Sequence, residues 1–123
     1  MFPIIGMSDE FLAVAKREIH DDIRELESLL TACKNDHDVV SIASQFQKHT
    51  HKIMGLAPMM GNDSLGNVAK SLDLLLKKIT DDVEGIFSLL SEMLPFMTSL
   101  MIEPASHSAN VDEKISKIQK LSD

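Results

Sequence analysis

The chain has 123 residues, 44% of them hydrophobic and 25% charged, and carries a net charge of −7. That size suits a single domain (1–123) around one core, with no room for a second. The acidic balance argues against nucleic acid, which needs a clustered basic surface, and against an anionic membrane surface.

The opening Met1-Phe2-Pro3-Ile4-Ile5-Gly6 is apolar but too short and too poor in basic residues for a signal peptide. Ser8-Asp9 then offers a helix start. Phe11, Leu12, Ala15, Ile19, Ile23, Leu26, Leu30 and Cys33 recur at spacings of one, three and four, while Lys16, Arg17, Asp21, Asp22, Arg24, Glu25 and Glu27 fill the other face. This pattern predicts an amphipathic helix over about residues 9–34. Cys33 is the only cysteine, so no intramolecular disulfide can form, which suits a reducing compartment. It has a core-facing spacing and no nearby basic cluster, so inert burial is expected.

Lys34 to Asp38 is a polar break. A second helix carries Val39, Ile42, Ala43, Phe46, Thr50, Ile53 and Ala57 on one face, and Pro58 bends or ends it. Gly61-Asn62-Asp63-Ser64 is a turn with Asp63 or Ser64 as N-cap. The third helix follows Leu65, Val68, Ala69, Leu72, Leu75, Leu76 and Ile79, with Lys77 and Lys78 near its negative dipole end. Thr80-Asp81-Asp82 is placed to cap a fourth, from Val83 to Met101, in which Pro95 implies a kink or a restart. Residues 104–108 form a linker, and Val111, Ile115, Ile118 and Leu121 mark a short C-terminal helix.

No stretch alternates with period two, and no apolar run reaches the ~18–20 residues of a membrane span. The expected fold is all-α: an antiparallel up-down four-helix bundle with a short additional C-terminal helix. Eight Met residues, beside five Phe and no Trp or Tyr, are expected to serve chiefly as adaptable core filler.

The segment with chemical content runs from His49 to Gly61. His51, Gly55, Ala57, Met59 and Gly61 fall at the spacing of histidine phosphotransfer domains, and the pattern most resembles the phosphotransfer domains of chemotaxis-type histidine kinases. The resemblance extends over about residues 9–80. It implies that His51 carries a phosphoryl group, and that the acidic residue at position 73 of the next helix lies near it. Residues four apart on a helix are stacked neighbours, so Gly55 would leave the imidazole open to a protein partner. A mid-helix glycine costs ~1 kcal/mol relative to alanine, so it needs a reason. If Asp73 accepts the Nδ1 proton, Nε2 keeps its lone pair for attack on phosphorus. Asp is one methylene shorter than the Glu common there, which predicts a longer contact.

Met54 departs from the family, which has Lys three residues after the histidine. Lys48, three residues before His51, and Lys70, one turn before Asp73, are the expected replacements for that charge. The expected partner face is Gly55 with Ile53, Leu56 and Met59, adjoining Met54 and rimmed by Gln47, Lys48 and Lys52. His49 departs as well and is read as a partly buried structural residue. A metal pair of His49 and His51 is not expected, because residues two apart on a helix do not converge. His20, His37 and His107 lie in polar surroundings without an expected role.

The resemblance implies a phosphorelay carrier rather than an enzyme, monomeric and without a cofactor or nucleotide site. Its partners would be response-regulator receivers, a sensor histidine kinase, or both, with Mg²⁺ supplied by the receiver. The expected address is the bacterial cytoplasm. The alternative is a degenerate bundle that binds a receiver or kinase without accepting phosphate.

Overall fold

The computed structural model describes residues 8–103 and 108–123. They form five helices: α1 (Asp9–Thr31), α2 (Asp36–Met59), α3 (Asp63–Lys77), α4 (Ile86–Ile102) and α5 (Ser108–Ser122). The described residues contain no strand, and no helix among them is long and apolar enough to cross a membrane. The N-terminal apolar segment, most of the 104–108 linker and His107 lie outside the described residues.

Ser8 caps α1 by accepting a hydrogen bond from the Phe11 amide at 3.0 Å. The helix ends at Thr31, ahead of the expected boundary near residue 34, because Asn35 and Asp38 claim the next backbone. Asn35 Oδ1 accepts from the Asp38 amide at 3.0 Å, and Asp38 Oδ2 accepts from the Lys34 amide at 2.8 Å. Such local side-chain bonds offer the backbone an alternative to the helix ladder.

α2 runs one residue past Pro58 and closes in a Schellman motif, with Gly61 at φ 80°. The Gly61 amide bonds Pro58 O and the Asn62 amide bonds Ala57 O, both at 2.9 Å. The N-cap of α3 is Asn62, not Asp63 or Ser64. Buried Asn62 accepts from the Leu65 amide at 3.2 Å and donates to Leu100 O of α4 at 3.1 Å, so one amide caps a helix and fastens another.

α4 begins at Ile86, three residues later than expected, and Thr80-Asp81-Asp82 does not cap it. Gly85, at φ 90°, is its N-cap and supplies no side chain. The acceptor comes from α2: Asp36 Oδ1 and Oδ2 take the amides of Phe87 at 2.8 Å and Gly85 at 3.0 Å. Asp82 instead pairs with His37 at 2.7 Å. The helix continues through Pro95 without a restart, and Pro95 lies on its exposed side.

α5 has as many residues as α3, and it is built into the core through Val111 and Ile118. Lys114 and Lys117 both bond Glu92 of α4, the latter at 2.9 Å, and the Lys114 ammonium lies 5.5 Å from the Phe96 ring centre. Buried apolar side chains from all five helices form one cluster, including Ile19, Phe46, Ile53, Leu72, Leu90, Met93 and Met97. α2 lies against α1 and α3 and also touches α4, while α5 rests on α3 with a smaller contact to α4. Pro58 faces Gly66, where an added Cβ would come within 2.8 Å of the proline ring. Further along, Gln47 and His51 face Asp73. The two helices are therefore an antiparallel hairpin, and the glycine lets their backbones approach at the turn.

Candidate functional site at the α2–α3 seam

His51 stands on the outer side of α2 with its side chain 57% exposed, and its Nδ1 is 3.4 Å from Asp73 Oδ1 on α3. This exceeds the ~2.7–3.2 Å of a well-formed hydrogen bond, as the short aspartate side chain leads one to expect. Asp73 is only 3% exposed. Its Oδ1 also accepts a hydrogen bond from the Gln47 amide, one turn before His51. Its Oδ2 lies 3.2 Å from Lys77 Nζ, one turn further along α3. Burial pushes the Asp73 carboxyl up, but bonds from Gln47 and Lys77, the Lys77 charge and the bond from His51 outweigh it and hold the group below its ordinary value. Asp73 is thus a fixed carboxylate beneath an exposed imidazole. A carboxylate so placed selects the tautomer with hydrogen on Nδ1 and leaves the Nε2 lone pair for a partner.

The sequence-derived residues divide. Gln47 is more than a rim residue, because it holds the orienting carboxylate. Gly55 is exposed, and a Cβ there would meet nothing within 4 Å, so the surface beside His51 is open. Met59 is exposed, whereas Met54 and Leu56 are partly buried against the core. Ile53 is fully buried and packs in the core, so it is not part of a partner face. Lys52 is drawn to α1, 2.9 Å from Glu18 and 3.7 Å from Asp22, and does not border the His51 side.

Lys48 and Lys70 are exposed, and among the described residues no ion pair involves either. The cation at the site is Lys77, whose place near the end of α3 points in sequence first to the helix dipole. Its spacing of four from Asp73 was the available signal.

The other side of α2 carries a second pair. His49 Nδ1 lies 2.9 Å from Asp22 Oδ1. Patterning puts Asp22 on the charged outer face of α1, yet its side chain is 3% exposed. His49, 29% exposed, is partly buried as expected, and the two histidines diverge to different helices. Among the described residues no group of three or more His, Cys, Asp or Glu could hold a metal ion. Cys33 is buried, and burial followed by the Asp38 charge pushes its thiol up, away from the reactive thiolate.

No family model, curated protein or solved structure matches this chain.

Proposed function

We propose that the chain is a histidine phosphotransfer protein of a two-component phosphorelay, carrying a phosphoryl group on His51. The observation that carries this reading is the exposed His51 imidazole, 3.4 Å from a buried carboxylate that Gln47 and Lys77 hold in place. In this reading α1–α4 are the antiparallel up-down bundle, and α5 is an added helix laid on α3 and α4.

His51 Nε2 attacks the phosphorus of a receiver's aspartyl phosphate. The N–P bond forms, the P–O bond breaks, and the receiver's carboxylate leaves. The ring keeps its Nδ1 proton and becomes cationic, with the Asp73 carboxylate beside it. Transfer to a second receiver reverses these steps and restores the neutral ring. Phosphoryl transfer depends chiefly on positioning and charge, so this domain supplies the oriented nucleophile while the receiver supplies Mg²⁺. A sensor histidine kinase is the alternative source of the group. Gly55 and Met59, along the same side of α2 as His51, give the receiver an open, partly apolar landing surface. Lys77 keeps Asp73 ionised, and the flexible Lys48 and Lys70 supply further positive charge where Met54 cannot. The protein acts as a monomer in the bacterial cytoplasm.

The alternative is a bundle that docks on a receiver or kinase without accepting phosphate. Met54 favours it, since the family's lysine is missing there. Incubation with a phosphorylated receiver separates the two: acid-labile label mapped to His51 supports the carrier, and tight receiver binding without label supports the docking module. Met54→Lys should quicken labelling of a carrier and leave a docking module unlabelled.

A further inference from the structure

We propose that His49 is a second phosphoacceptor, served by small phosphoryl donors rather than by a receiver; this extends the His51 reading and rests on the same nucleophilic chemistry. Three groups converge beside α1 as their counterparts do beside α3. His49 Nδ1 is 2.9 Å from Asp22 Oδ1, a better hydrogen-bond distance than the 3.4 Å between His51 and Asp73. Lys52 Nζ stands 3.7 Å from that same oxygen and 2.9 Å from Glu18. An imidazole, a buried orienting carboxylate and a cation thus meet at each side of α2. Lys52 follows His49 by three residues, the interval at which Met54 follows His51.

Asp22 also has an unmet need. Its Oδ2 is buried and has no hydrogen-bond partner. Among the described residues Lys52 is the one lysine or arginine paired with that carboxylate, at 3.7 Å. A phosphoryl group on Nε2, with the proton kept on Nδ1, makes that ring a cation against a buried anion, which favours the phosphorylated form.

Residues two apart on a helix lie ~200° apart around its axis. A receiver seated over His51 therefore cannot reach His49, whereas a compact donor can approach a ring that is 29% exposed. With phosphoramidate, the Nε2 lone pair attacks phosphorus, the N–P bond to the ring forms, and the donor's P–N bond breaks with release of ammonia. An acyl phosphate would react in the same way with loss of its carboxylate.

The test uses phosphoramidate on the full chain, with intact mass for the number of groups added and peptide fragmentation for their positions. Exposed His20 serves as the internal reference for unassisted reactivity. His51→Gln, a change at an exposed side chain, should still take up one group on His49, at least about tenfold faster than His20 is labelled. Asp22→Asn, checked for its melting transition, should remove that advantage, because an amide can select the wrong tautomer. Labelling of His51 alone in the wild type, with His49 no faster than His20 in His51→Gln, overturns this proposal and leaves His51 standing. Labelling of His49 but not His51 upholds this proposal and removes the first. Label on neither histidine, under conditions that modify a histidine peptide, overturns both.

Discussion

His51 and Asp73 face each other across the α2–α3 seam with 3.4 Å between Nδ1 and Oδ1, the imidazole largely in solvent and the carboxylate almost wholly out of it. That difference in exposure gives each its part. The buried group is fixed by Gln47 and Lys77, and the exposed one can meet a partner.

Asp73→Asn should slow phosphorylation of His51 by at least about tenfold, since the amide no longer enforces the Nδ1–H tautomer. Lys77→Ala should slow it less, by about two- to fivefold, because Gln47 still holds the carboxylate. Rates of labelling by a phosphorylated receiver, with melting curves as the folding control, check both. Equal rates in all three proteins would contradict the role given to Asp73.

The pH dependence of stability follows from the same carboxylate. Its folded value lies below the ordinary 3.8, so its stabilising contribution is complete above 3.8 and is lost as pH falls through the folded value. Urea unfolding should show Asp73→Asn less stable than wild type at neutral pH, with the gap narrowing in strong acid. A gap independent of pH would contradict the assignment.

Two glycines should respond oppositely to alanine. At Gly55 the added methyl meets nothing within 4 Å, so Gly55→Ala should stabilise the helix by up to about 1 kcal/mol. Gly55→Trp should fold but transfer poorly, because the bulk stands beside His51. At Gly66 the methyl would be 2.8 Å from the stiff ring of Pro58, and Gly66→Ala should cost about 1–3 kcal/mol. Urea melts read both stabilities.

Asp36→Ala should cost about 1–2 kcal/mol by leaving the Gly85 and Phe87 amides without their acceptor. Amide hydrogen exchange should quicken first at the start of α4. Unchanged protection at Phe87 would show that Asp36 does not hold that helix end.

Periodicity made most helical segments legible, and Pro58 with Gly61 marked the end of α2, because those signals are local. The start of α4 was not, since its acceptor comes from Asp36, which lies 49 residues from Gly85 in sequence. The capping of α3 by Asn62 was open to a local reading, but its bond to Leu100 was not. At the site, His51, Gly55 and Asp73 could be named from the resemblance to phosphotransfer domains, not from periodicity alone. Lys77 lies four residues from Asp73, within reach of the helix-neighbour rule, but its place near the helix end reads first as dipole compensation. Patterning reads Asp22 as exposed because it is charged, and only the packing of α1 on α2 brings it to His49. Ile53 is the converse case: its closeness to His51 in sequence suggests a contact surface, but the helix phase it shares with Phe46 and Ala57 puts it inside.

Whether His51 carries the phosphoryl group is decided by brief incubation of the full chain and of His51→Gln with a phosphorylated receiver, followed by mapping of the acid-labile label. Label is expected on His51 of the wild type, with no transfer to the variant. Equal labelling of both proteins, or label on neither with the cognate receiver, would contradict it.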